Sequence, residues 1–190
     1  MKAIYILILC LISLSSQRNG ECKREIISFF KRKTNGNKIA TAGMMGNLYD
    51  ESRYRSIDLE DASESEDRRF TNKINKNGGN LDVLLSTSKG YGLVQWTHHS
   101  RKEAFFNHAK KYFRKKGRKF DIGDCDMQLD FLWTELTSSD YYNYKGWLRA
   151  KTVEEATEII MMGYEEPDDK SPEHLNLRIR YAWNAYNELW

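Results

Sequence analysis

The sequence predicts a mainly α-helical fold with little or no β-structure, in a chain whose mature part is the size of one ordinary domain. Two observations carry this reading. Apolar residues recur at helical spacing almost everywhere after residue 20, and the segments they occupy open on recognisable helix-start residues.

The first segment is not expected to be part of the fold. Lys2 is followed by the apolar run AIYILILCLISL and by Ser13, Ser15 and Ser16, the layout of a secretory signal peptide cleaved after Ser15 or Ser16. The expectation is therefore a signal over residues 1–16 and one exported domain over residues 17–190. The apolar run is short for a membrane span, so no membrane association is expected after cleavage. Cys10 leaves with the signal, and Cys22 and Cys125 remain as an even pair in an oxidising compartment, where a disulfide between them is expected.

Within the mature chain, Cys22, Ile26, Phe29 and Phe30 fall on one helical face. A second helix is expected from near Asn37 through IATAGMMGNLY, with Ala40, Ala42, Gly43 and Gly46 small enough to admit another backbone. Residues 56–90 are the most polar stretch and read as a long loop insertion. It carries a helix opened by the Ser63–Glu66 capping box, a turn at Asn77, Gly78 and Gly79, and LDVLL as either a short strand or one helical turn.

After GYGLVQWT the helical pattern returns with Phe105, His108, Ala109, Tyr112 and Phe113. Asp124 then caps a helix bearing Cys125, Leu129, Leu132, Trp133 and Leu136. Thr152 with Glu155 opens the next helix, and Ser171 before Pro172 opens the last, whose expected buried face is Leu175, Ile179, Ala182, Trp183 and Tyr186.

The net charge of +3 is mild, but Lys110, Lys111, Arg114, Lys115, Lys116, Arg118 and Lys119 cluster. Such a run is a solvated helix face or an attraction for an anionic polymer, and with no nucleic-acid motif present a cell wall is the better match. No metal-ligand spacing, phosphate loop or GxSxG occurs, so no metal, cofactor or serine nucleophile is expected.

What remains is a carboxylate at the end of a buried, glycine-containing helix, in DES, and a later glycine-flanked cluster, GYGLVQW. A glutamate in a partly apolar cleft resists ionisation and can hold a proton for a leaving oxygen, which is the general acid of glycoside cleavage. Glu51 has the longer reach, and Asp50 is expected to be a helix-end bystander. In the second cluster Gly90 and Gly92 permit close approach, Gln95 offers donor and acceptor, and Tyr91 and Trp96 offer flat faces to sugar rings.

These motifs resemble, in order, those of the phage tail lysozyme family of peptidoglycan hydrolases: MMGNLYDES, GYGLVQWTHHSRK, IGDCDMQLDFLWTEL, VEEATEIIMMGYEEP and RIRYAWNAYN. The pairing of ES with a GLxQ-type stretch is also similar, more distantly, to goose-type lysozymes and soluble lytic transglycosylases. The resemblance implies a lysozyme-like helical fold and cleavage of the glycan strands of bacterial peptidoglycan, and the chain is expected to be a monomer. It places the catalytic glutamate at Glu51 and the orienting glutamine at Gln95. Ser52, Tyr91, Gly92, Trp96 and Tyr164 are then substrate-binding positions, and Arg101 falls in the SRK motif. Asp58, Asp61 and Glu165 are candidates for a second carboxylate.

Two departures stand out. The family continues ESGLNP where this chain has ESRYRS, and YERP where it has YEEP with Glu166. The expected function is a secreted muramidase. The alternatives are a lytic transglycosylase, a chitin-active enzyme of the same fold, or a wall-binding protein without catalysis.

Overall fold

The computed structural model describes residues 21–138 and 142–190; the expected signal segment 1–16, Cys10 included, lies outside the described residues. Nine α-helices occur among the described residues: α1 (Lys23–Lys33), α2 (Lys38–Ser52), α3 (Glu64–Asn75), α4 (Leu81–Leu85), α5 (His99–Lys116), α6 (Cys125–Ser138), α7 (Tyr144–Arg149), α8 (Val153–Ile160) and α9 (Pro172–Glu188). No strand occurs among them, only the isolated bridges Glu21–Arg55 and Leu59–Tyr91. None of these helices is long and apolar enough to cross a membrane. The contacts gather into two compact units, one of Lys23–Arg53 with Leu129–Trp190, the other of residues 21–22 with Tyr54–Gln128.

In the first unit α2 is the central element. The Asn37 side chain caps it by accepting from the Ala40 N–H at 3.0 Å. Every residue from Ala40 to Leu48 is buried, the pattern of a helix covered on all sides. The two glycines explain how. A Cβ on Gly43 would stand 2.6 Å from the Ala156 Cβ of α8, and one on Gly46 would stand 2.6 Å from both the Ala182 Cβ and the Arg178 carbonyl of α9. Backbone-to-backbone packing of this kind tolerates no side chain.

The same closeness corrects the expected face of α9. Its fully buried residues are Arg178, Ala182 and Ala185. Leu175, Ile179 and Tyr186 are half-buried, and Trp183 is 40% exposed, with its indole N–H donating to Glu154. Small residues turn inward because Gly46 lets the helix axis come that near. The expected α1 face does go inward: Ile26, Phe29 and Phe30 are buried, and Phe30 meets Trp147 edge-on at 6.0 Å.

In the second unit, residues 56–90 are more ordered than a loop. α3 opens on Ser63, with Glu66 reaching back to the Ser63 N–H at 2.8 Å. A 3₁₀ turn over Lys76–Gly78 follows, and LDVLL is the helix α4 under an Asn80 cap, not a strand. Ile74 and Leu84 are fully buried and anchor these elements. Asp124 caps α6 as expected, accepting from the Met127 N–H at 2.9 Å.

Cys22 and Cys125 form the expected disulfide, with Cα atoms 5.8 Å apart across a sequence separation of 103 residues. Closing so long a loop restricts the unfolded chain strongly. Reduction of this bond lowers the unfolding free energy by about 2–5 kcal/mol, read from urea melts with and without dithiothreitol. Superimposable melts would show that the unfolded chain gains nothing from the bridge.

Candidate active site

The end of α2 places Asn47, Asp50 and Glu51 at i, i+3 and i+4, one face of the helix. On α9, His174 and Arg178 are likewise four apart. The two faces meet within one unit. Arg178 donates from Nη1 to Asn47 Oδ1 at 2.9 Å and from Nη2 to Glu51 Oε1 at 2.5 Å, while its Nε lies 3.0 Å from Asp50 Oδ2. His174 Nε2 lies 2.7 Å from the same Asp50 oxygen, and its Nδ1 lies 2.8 Å from the Asp169 carbonyl. Asn47 is itself fixed, donating its amide to the Gly43 and Thr157 carbonyls, so its oxygen is the end left for Arg178.

Arg178 is 2% exposed, so its charge stays inside only because it is shared over three acceptors. Burial raises the Glu51 carboxyl above its ordinary value, and the charge and hydrogen bond of Arg178 only partly offset this; Asp50 adds to the rise and His174 opposes it. Burial also works against charge on His174, but hydrogen bonds to Asp50 and to the Asp169 carbonyl outweigh it and raise its pKa. Both imidazole nitrogens thus face acceptors, which favours the imidazolium. Glu51 is held by Oε1, and among the described residues Oε2 has no hydrogen-bond partner and is not enclosed. A carboxyl pinned at one oxygen, with a raised pKa and the other oxygen open, is built to carry a proton outward.

Asp50 is therefore no bystander: it is the shared acceptor that joins His174 to Arg178. Sequence reading missed His174 and Arg178. The available signal was their fourfold spacing on α9, which puts a cation in the middle of an apolar stripe where it needs an internal partner.

The ESRYRS departure has a structural account. The helix-ending residue Arg53, where the resembling pattern has glycine, takes the left-handed conformation itself, with φ 54°. Its guanidinium packs over the Tyr49 ring at 4.7 Å and donates to the Tyr49 carbonyl at 2.7 Å. Side-chain contacts thus compensate for the strain that glycine would avoid. Glu166 is similarly left-handed, at φ 47°, and ends the π-helical turn Met161–Glu165.

Several expected substrate contacts are core residues instead. Within the second unit Tyr91 is fully buried with its hydroxyl 2.7 Å from Thr71, and Trp96 is fully buried and stacked on Phe105 at 4.3 Å. Neither offers a free face. Ser52 is buried and its hydroxyl donates back to the Leu48 carbonyl, and Tyr164 is buried with its hydroxyl donating to Glu135. Gly92, at φ 82°, makes the turn, and a Cβ there would stand 2.8 Å from Gln128 Oε1. The buried Gln128 side chain, which the sequence did not single out, ties that turn together. It accepts from the Leu93 N–H and donates to the Ser56 and Ile122 carbonyls.

Gln95 does carry a site-like feature. It is left-handed at φ 48°, and its amide N–H₂ points at the Gly92 carbonyl (2.9 Å) and the Asp58 carboxylate (3.2 Å). That orientation leaves Oε1 buried with no hydrogen-bond partner among the described residues. Asp58 is engaged by Arg55 at 3.1 Å as well as by Gln95, Asp61 is an exposed turn residue at φ 55°, and Glu165 is half-buried in the π-helical turn. No His, Cys, Asp and Glu side chains among the described residues are grouped to hold a metal ion.

The family described as phage tail lysozyme matches residues 21–189 of this chain. No curated protein matches it.

Proposed function

Because the chain belongs to the phage tail lysozyme family, and so to the lysozyme-like hydrolases, we propose that it is a secreted muramidase that hydrolyses the glycan strands of bacterial peptidoglycan with Glu51 as general acid. The observation that carries this reading is the Glu51 carboxyl, raised by burial and tethered through Oε1 to a buried Arg178. Oε2 protonates the glycosidic oxygen as the bond to the anomeric carbon breaks, the positive charge develops on the sugar ring, and water completes the hydrolysis. Asp50 and His174 hold Arg178, and Arg178 holds Glu51. Export is supported by the signal-like residues 1–16 and by the Cys22–Cys125 disulfide.

Mass spectrometry of digested peptidoglycan tests the bond and the chemistry. The expected products are muropeptides with reducing N-acetylmuramic acid ends. Anhydro ends would replace hydrolysis by transglycosylation, and cleavage of chitin alone would remove the wall as substrate.

A further inference from the structure

Along the second half of α5 and past its Gly117 cap, Lys110, Lys111, Arg114 and Arg118 line a surface pocket of about 370 Å³ with Phe113 and Phe120 beneath them. Cations in the last helical turn are ordinarily explained by the helix dipole. That accounts for Arg114, but Lys110 and Lys111 lie a turn earlier and Arg118 lies beyond the helix. The ion pairing is sparse: Arg118 meets Asp124 at 3.0 Å, whereas the side chains of Lys111 and Arg114 have neither an ion pair nor a hydrogen bond among the described residues. Lys110 is held in place by donating to the Gly78 carbonyl at 2.9 Å, which keeps further N–H donors available. A concave site with two uncompensated cations and a third pinned at its edge favours a multiply charged anion.

We propose that this pocket is an anion-binding site, outside the Glu51 cluster, for a phosphodiester-linked glycopolymer of the bacterial wall, so that the protein is held to walls by charge as well as by its substrate. Two features favour such a polymer over nucleic acid. Phe113 and Phe120 are 2% and 7% exposed, so the pocket has no ring face for base stacking. Its volume takes one or two phosphate-bearing sugar units, too little for the row of phosphate contacts that a duplex needs. The inference rests on the wall as substrate, but it is tested by binding alone.

The full chain carrying Glu51→Gln, in which cleavage is expected to be strongly slowed, is sedimented with Gram-positive sacculi before and after acid extraction of their phosphodiester polymers. Binding is expected to weaken by about tenfold or more on extraction, and by a similar factor when NaCl rises from about 50 mM to about 200 mM. Lys111→Glu with Arg114→Glu removes the same increment, Lys111→Gln with Arg114→Gln removes about half of it, and unchanged circular dichroism shows that the fold is kept. Equal binding to native and extracted walls, or no effect of either double substitution, overturns the proposal. Tighter binding to a single-stranded or duplex oligonucleotide than to the isolated wall polymer overturns the choice of ligand. Product analysis of the wild type is independent of all these outcomes, so failure of this site and failure of the muramidase reading are told apart.

Discussion

Glu51→Gln is expected to lower the rate of glycan cleavage by roughly 10²- to 10⁴-fold, the usual worth of a positioned general acid. The substitution is nearly isosteric, and its amide oxygen can still accept from Arg178. What it removes is the transferable proton. Because burial raises the Glu51 pKa above 4.5, the folded state keeps this proton longer than the unfolded chain does. The resulting stabilisation is fully present below 4.5 and is lost as pH rises through the higher folded value. The variant lacks that term, so its melting temperature falls less between pH 4.5 and neutrality than the wild type's. Undiminished activity in a variant folded this well would remove Glu51 from the reaction.

Arg178→Met is expected to destabilise the protein by about 3–5 kcal/mol in urea unfolding, the cost of removing one partner from a buried charge cluster. It strands Asn47 Oδ1 and takes the guanidinium from both Asp50 and Glu51. The functional sign is also defined. Arg178 lowers the Glu51 pKa, so its removal raises that value further, and the alkaline limb of the activity profile moves to higher pH. Arg178→Lys, which keeps the charge but lacks the planar fork, serves where the methionine variant does not fold. It shows the same kind of loss, smaller in size. A variant with wild-type stability and an unmoved profile would mean that the cluster neither holds the fold nor sets the acid.

The helices were legible because their signals are local. The Ser63–Glu66, Asp124, Thr152 and Ser171 caps each act within four residues, and each cap is in place. Glu155 shows how local the reading must be: its side chain reaches the Lys151 N–H, one residue before the expected partner. What sequence periodicity could not show was which residue of an apolar stripe lies deepest. Ala182 and Arg178 take that place on α9 because Gly46, more than 130 residues away in sequence, leaves room for them. For the same reason the site was half legible. Glu51 follows from its helix and its motif, whereas Arg178 and His174 matter through tertiary contact with Asp50. Tyr91 and Trp96 were misread because an aromatic ring beside glycine looks alike whether it floors a groove or fills a core, and here Thr71 and Phe105 claim both rings.

The proposal that a buried, proton-holding Glu51 drives glycan cleavage is tested most directly by the pH dependence of reducing-end release from purified peptidoglycan. The expected wild-type result is release with an alkaline limb above the ordinary glutamate range, coinciding with the Glu51 titration followed by carboxyl ¹³C NMR, and near-absent release by Glu51→Gln at every pH. Release that persists in Glu51→Gln, or a Glu51 titration at or below 4.5, would contradict it.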